Sequence, residues 1–177
     1  LRGVGNADGI ARFEIERQAL AALTHPGIAR VYDGGTDHGR PWFAMELVEG
    51  EPITTWVRRH RASTRTRLAL FLETCRAIQH AHQRGVIHRD VKPSNVLVGD
   101  VDGEPRVKVI DFGIARVEGE LQGDWTRQTL TGQVLGTPGY MSPEQIRDTR
   151  EVDTRSDAYS RGVLLYELLV DVVPFDT

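Results

Sequence analysis

Asp90, Lys92, Asn95 and Asp111 are the residues whose types and spacing could do chemistry. Asp90 stands five residues before Asn95 in His88-Arg89-Asp90-Val91-Lys92-Pro93-Ser94-Asn95, and Asp111 follows Asn95 by sixteen. An amide oxygen and a carboxylate are hard oxygen ligands. They suit Mg²⁺ that takes its other ligands from water and phosphate oxygens. Asp90, on the same loop as Asn95, is free to accept a proton from an incoming hydroxyl. Lys92 can steady a phosphoryl group as negative charge spreads over its oxygens. A base and two metal ligands at these spacings are what phosphoryl transfer from ATP requires.

The chain between Asn95 and Asp111 must bring the two together. Val96-Leu97-Val98 and Val107-Lys108-Val109-Ile110 are short β-rich runs, and the turn formers Gly99 to Pro105 lie between them. A hairpin is predicted, and it folds both ends onto one edge. Upstream, Asp8 can cap a helix from about Gly9 to Leu23, with Ile10, Phe13, Leu20 and Leu23 as its apolar stripe. Ile28 to Asp33 and Pro41 to Leu47 read as strands joined by the polar turn Gly34 to Arg40. Pro52 opens a short helix to about Arg61. A long helix follows from Thr64 to Arg84, with Leu68, Phe71, Leu72, Cys75, Ile78 and His82 on one face and Gly85 closing it. A final helix starts at Asp157 and is apolar almost all round, so burial in a large lobe is expected.

Together, His88-Arg89-Asp90-x-Lys92-x-x-Asn95, Asp111-Phe112-Gly113 and Gly136-Thr137-Pro138-Gly139-Tyr140-Met141-Ser142-Pro143-Glu144-Gln145 resemble the catalytic core of eukaryotic-type protein kinases, most closely the bacterial serine/threonine branch. The resemblance runs from about Leu1 to Phe175. It implies an α+β, bilobal fold, present in part: residues 1–45 as the end of the small β-rich lobe with its C helix, 46–50 as the hinge, and 51–177 as a large-lobe portion. It implies a protein serine/threonine kinase that uses ATP and Mg²⁺, for which Mn²⁺ could substitute. Glu16 matches the C-helix glutamate that pairs with a lysine, here expected before Leu1 together with the glycine-rich loop. Met45 matches the gatekeeper, and Glu46 and Val48 the hinge whose backbone recognises adenine. Leu97 matches the residue beneath adenine, and Thr137 the hydroxyl that contacts the catalytic Asp and Lys. Asp157 would anchor the catalytic-loop backbone, and Phe112 would pack near Leu20. Thr129 and Thr131, in a polar stretch from Val117 to Gln133 expected to be mobile, are candidate sites for autophosphorylation in trans within a kinase dimer, with Arg89 available to pair with the phosphate.

With 177 residues the chain can bury a full core. Its net charge of −3 does not argue for a nucleic-acid or membrane partner. Cys75 is the single cysteine, which fits a reducing, cytoplasmic setting. On its helix it reads as a small buried hydrophobe. The apolar run Val163 to Val173 is interrupted by Glu167 and Asp171 and is too short to span a bilayer. His80 and His82, two apart on a helix, point in different directions and do not make a metal site. The sequence reads as a segment of a longer protein whose parent could carry an anchor elsewhere. By itself it is expected to be poorly soluble or inactive.

Two other function classes remain. A pseudokinase-like binding module would keep the fold without turnover, but Asp90, Asn95 and Asp111 are all present. A small-molecule phosphotransferase shares the loop aspartate, asparagine and metal aspartate, but would not be expected to carry Lys92 with Pro93, nor the Gly136 to Glu144 segment.

Overall fold

The computed structural model describes residues 17–37, 40–112, 138–147 and 152–175. Glu16, Gly113, Thr129, Thr131 and Thr137, together with the whole stretch from Val117 to Gln133 and the start of the first helix, lie outside the described residues.

The end of helix α1, residues 17–21, leads through His25-Pro26-Gly27 to a two-stranded antiparallel sheet of β1 (Val31–Asp37) and β2 (Arg40–Met45). The strand pairing runs through Gly34 and Gly35 as far as Asp37↔Arg40, so the expected turn from Gly34 to Arg40 is shorter than its composition suggested. Without a Cβ at either glycine, the Phe43 and Trp42 rings can lie over the backbone of β1. Residues 46–50 then run without regular structure to β3 (Glu51–Pro52).

Helix α2 (Ile53–Arg59) begins behind Pro52, and α3 (Thr64–His82) begins at Ser63, whose Oγ accepts the Thr66 N–H at 3.2 Å. The C-terminus of α3 is closed by Gly85 at φ +74°. Gly85 N–H returns to His82 O and Val86 N–H to Ala81 O, both at 3.0 Å, which satisfies two of the terminal carbonyls. The buried face of α3 is Leu70, Thr74, Ala77, Ile78 and Ala81. This corrects the expected stripe. Leu68 and Leu72 are exposed, and Cys75 is half-buried. The packed face is made by Leu70 and Ile78 with Ala77 and Ala81, so of the residues in the expected stripe only Ile78 is fully buried.

The strands β4 (Val96–Val101) and β5 (Glu104–Val109) form the predicted hairpin, and β3 adds antiparallel to β4. The turn is only Asp102-Gly103, at φ +55° and +82°, the conformation that matches the twist of paired strands. The strands therefore extend through Asp100 and Pro105, which the composition had assigned to a long turn. Val96, Val98, Val107 and Val109 face the core, as period-2 alternation requires. Each such fully buried side chain contributes about 1.5–3 kcal/mol. The opposite face carries Leu97 beside Lys108. Residues 27–29 dock on the end of β5 through Ala29 N–H to Val109 O (2.9 Å) and Val109 N–H to Gly27 O (2.8 Å).

Helix α4 (Pro143–Arg147) follows a 3₁₀ turn at Pro138–Tyr140. Helix α5 (Thr154–Val170) starts earlier than expected, capped by Asp153, and ends at Asp171 with φ +64°. Its buried face is Ser156, Asp157, Ser160, Val163, Leu164, Glu167 and Leu168. Tyr166, Leu169 and Val170 are exposed, so it is not buried all round. Apolar composition alone did not say which side faces α2 and α3. No helix among the described residues is long and apolar enough to cross a membrane.

Where residues 49 and 50 cross β4, backbone meets backbone. A Cβ on Gly50 would lie 2.9 Å from Val98 O, and one on Gly99 would fall inside contact distance of Glu49 O. Gly99→Val is expected to lower stability by about 1–3 kcal/mol, because the clash is with main chain that cannot rotate away. Thermal unfolding of the two proteins measures this; an unchanged Tm would contradict the close approach.

Candidate active site

The loop from His88 to Asn95 has no regular structure until a 3₁₀ turn at Pro93–Asn95, so each of its backbone groups needs a partner from elsewhere. Asp157, fully buried on the first turn of α5, supplies partners for two of them. Its Oδ2 accepts His88 N–H at 2.9 Å and His82 Nε2 at 2.6 Å, and its Oδ1 accepts Arg89 N–H at 2.7 Å. Burial alone raises the Asp157 carboxyl. The bond from His82 and the neighbouring His88 and Arg89 groups outweigh it and hold the pKa below the ordinary carboxylate value. Arg89 sits at φ +68°, a conformation that must be held from outside.

His88 is also fully buried. Its Nε2 lies 3.0 Å from Ile110 O and its Nδ1 accepts Asp90 N–H at 3.3 Å. Its ring lies 4.5 Å from that of Phe112. Burial pushes the imidazole below its ordinary pKa, against the pull of Asp157 and Asp90. A neutral ring, donating from Nε2 and accepting at Nδ1, satisfies both contacts. His88 is a structural bridge between the loop and the end of β5, as its buried setting requires.

Asp90 is half-buried, and its Oδ2 holds two groups: Lys92 Nζ at 2.7 Å and Asn95 Nδ2 at 3.0 Å. Among the described residues Oδ1 has no hydrogen-bond partner. Asn95 is nearly buried, and its Nδ2 also donates to Asp90 O at 2.8 Å. Anchoring the nitrogen fixes the amide's orientation and leaves Oδ1 with only a long 3.4 Å contact from Ser94 Oγ. The hairpin brings the second candidate ligand alongside: Ile110 N–H donates to Asn95 O at 3.0 Å, one residue before Asp111. Asp111 is exposed, at φ +60°, and among the described residues its carboxylate has no partner. An oriented amide oxygen beside a free carboxylate fits a hard divalent cation.

Phe112 is buried and shares a narrow crevice with Leu20, Leu23, Ile28, Val31 and Met45, which places it beside α1 as expected. Glu46 lies next to Met45. Its N–H donates to Arg30 O at 2.8 Å, and its carboxylate accepts Lys108 Nζ at 2.7 Å and Arg30 N–H at 3.1 Å. Burial raises the Glu46 carboxyl, but these bonds outweigh it and lower the pKa. The Glu46–Lys108 pair ties the irregular connection to the outward face of β5. Val48 is half-buried and Leu47 exposed.

A family model described as Protein kinase domain matches residues 6–177. The chain belongs to the protein kinase domain family. Serine/threonine-protein kinase PknL of Mycobacterium tuberculosis is 39% identical over 175 residues, covering 98% of this chain and 42% of the relative. Serine/threonine-protein kinase PknB of Mycolicibacterium smegmatis is 42% identical over 169 residues, covering 93% of this chain and 26% of the relative. The crystal structure of the Mycobacterium tuberculosis PknI kinase domain superposes with a TM-score of 0.71 at 30% identity, covering 96% of this chain and 60% of that one. The chain thus spans less than half the length of these curated relatives and shows the kinase fold in part.

Within this kinase domain the structure brings together Asp90, Lys92, Asn95 and Asp111, with Met45, Glu46 and Leu97 on the side of the β1–β2 sheet and hairpin. Glu16 and Thr137 fall outside the described residues. Glu144 accepts Ser156 Oγ at 2.7 Å. That bond lowers its pKa. Arg161 donates from Nε to Asp157 O at 3.2 Å. Sequence reading missed His82 and Lys108 as supports. Lys108 had a signal: alternation in β5 puts it opposite Val107 and Val109.

The His88 pKa carries a prediction. A histidine held neutral in the fold takes up less proton than the unfolded chain below about pH 6.5. Its contribution to stability is full above that value and is lost as the pH falls toward the lowered folded pKa. His25 and His80, also lowered first by burial, act in the same direction. The Tm should fall on acidification below about pH 6.5, with a smaller slope in His88→Gln. Equal slopes in the two proteins would show that His88 is not the buried neutral group.

Proposed function

We propose that this chain catalyses transfer of the γ-phosphoryl group of ATP to serine and threonine hydroxyls of proteins. The observation that carries the reading is the shared grip on Asp90 Oδ2 by Lys92 and Asn95, with Asp111 delivered beside them by the hairpin. Asp90 Oδ1 is the base: it takes the proton as the substrate oxygen bonds to the γ-phosphorus and the bond to the bridging oxygen breaks. Lys92, at contact distance from the base, is placed to move onto the equatorial oxygens of the transferred group. Asn95 Oδ1 and the Asp111 carboxylate would hold Mg²⁺, or Mn²⁺ in its place. Bound there, the cation would neutralise charge on the β- and γ-phosphates. Among the described residues no three His, Cys, Asp or Glu side chains gather as a metal cage, which suits a cation completed by phosphate and water.

Residues 46–50 serve as the hinge, with residues before them belonging to the small lobe and those after to the large. Adenine would sit against Met45 and Leu97 and meet the backbone of Glu46 and Val48. Glu16 would orient the lysine that fixes the α- and β-phosphates, and Thr137 would contact Asp90 and Lys92. Thr129 and Thr131 are the proposed autophosphorylation sites, modified in trans within a dimer. The setting proposed for this chemistry is the cytoplasm.

Asp90→Asn keeps the volume and the bonds to Lys92 and Asn95 in altered form but removes the base. Phosphate transfer by the full-length protein, followed by intact mass with Mg²⁺ and ATP, should fall by about 10²–10⁴-fold in this variant. Wild-type transfer by Asp90→Asn would remove Asp90 from the mechanism. Absence of transfer by the wild type, despite ATP binding, would point to a binding module.

A further inference from the structure

Ser142 and Gln145 form a reciprocal cap at the start of α4. Gln145 Oε1 accepts Ser142 N–H at 3.0 Å, and Ser142 Oγ accepts Gln145 N–H at 3.4 Å. The S-x-x-Q spacing is that of a capping box, in which glutamate serves as well as glutamine. Here the carboxamide does something a carboxylate cannot. Its Nε2 donates to Arg89 O at 2.5 Å, 56 residues away in sequence.

Arg89 O belongs to the peptide unit that leads into Asp90. The same unit's N–H, that of Asp90, is held by His88 Nδ1, and the preceding N–H, that of Arg89, by Asp157 Oδ1. Arg89 sits at φ +68°, where few side chains rest unaided, so the direction in which the Asp90 side chain leaves the loop depends on these grips. His88 belongs to the loop itself and Asp157 to the large-lobe helix α5. Gln145 is the grip that comes from the segment following Tyr140. It needs an acceptor toward Ser142 N–H and a donor toward Arg89 C=O, and a primary amide offers both.

We propose that Gln145 is a positioning residue for Asp90, coupling the start of α4 to the peptide that aims the base. The proposal rests on the reading of Asp90 as the base. Gln145→Glu separates the two functions of the side chain: it keeps the capping acceptor, and it sets a carboxylate without a donor against the Arg89 carbonyl. Ser142→Ala does the converse, losing one capping bond and leaving the Arg89 contact in place.

The test is steady-state transfer to a serine peptide by the full-length protein, with Asp90→Asn, Gln145→Glu, Ser142→Ala and the double variant Asp90→Asn/Gln145→Glu, and with Tm measured for each. In Gln145→Glu, kcat is expected to fall by about 10- to 100-fold, with the wild-type Tm and the wild-type KM for ATP. Ser142→Ala is expected to retain kcat near the wild-type value. In the Asp90→Asn background, Gln145→Glu should cost nothing further, because there is no base left to aim. Should Gln145→Glu melt early, Gln145→Met fills the same volume with neither donor nor acceptor and should show the same loss of kcat. Unchanged kcat in the Gln145 variants, an equal loss in Ser142→Ala, or an undiminished further loss in the double variant each overturns the proposal. Asp90→Asn at the wild-type rate overturns the base assignment itself, and it is read independently of the Gln145 variants.

Discussion

A buried carboxylate organises this molecule. Asp157 has no exposure to water, yet it stays ionised because every hydrogen bond it accepts comes from a group that would otherwise be orphaned: the backbone N–H groups of His88 and Arg89 and the ring of His82. Removing one partner from such an arrangement costs about 3–5 kcal/mol, since the group left behind cannot reach solvent. An irregular loop carrying a base cannot hold itself by a hydrogen-bond ladder. Here the ladder is replaced by separate grips, two of which come from one side chain on a packed helix. The rigidity of α5, set by Val163, Leu164 and Leu168 in the core, is thereby passed to a loop at the surface.

The second constraint is the hairpin. Its inward face is four valines, and its outward face carries Leu97 and Lys108 toward Glu46. One alternating pattern therefore does two things. It buries apolar surface against α3, and it brings the two candidate metal ligands, at its two ends, to the same edge. Ile110 N–H on Asn95 O and His88 Nε2 on Ile110 O fasten that edge to the loop. The positive φ of Asp111 turns its carboxylate out from the strand direction, where it meets solvent instead of the core.

The chemistry was more legible in the sequence than the packing. Asp90, Lys92, Asn95 and Asp111 are few, close in sequence and of distinctive type, so their spacing carries meaning by itself. The hairpin was legible because valines alternate, although its turn was misjudged: Asp100 and Pro105 look like loop residues and yet pair across the strands. The packed face of α3 was legible only in part: Ile78 lies on it as expected, but Leu70, Ala77 and Ala81 complete it while Leu68 and Leu72 face outward. The supports of the site were the hardest to see. His82 meets Asp157 across 75 residues of chain, and nothing local to either marks the pairing.

The most direct measurement is amide hydrogen exchange at His88 and Arg89 in Asp157→Asn, alongside phosphate transfer by the same full-length protein. An asparagine offers one acceptor oxygen where the carboxylate offered two, and its NH₂ would face a backbone N–H. Faster exchange at one or both of these amides, with transfer strongly reduced and the α5 core amides still protected, is the predicted result. Wild-type protection at both amides together with wild-type transfer would contradict the central role given to Asp157.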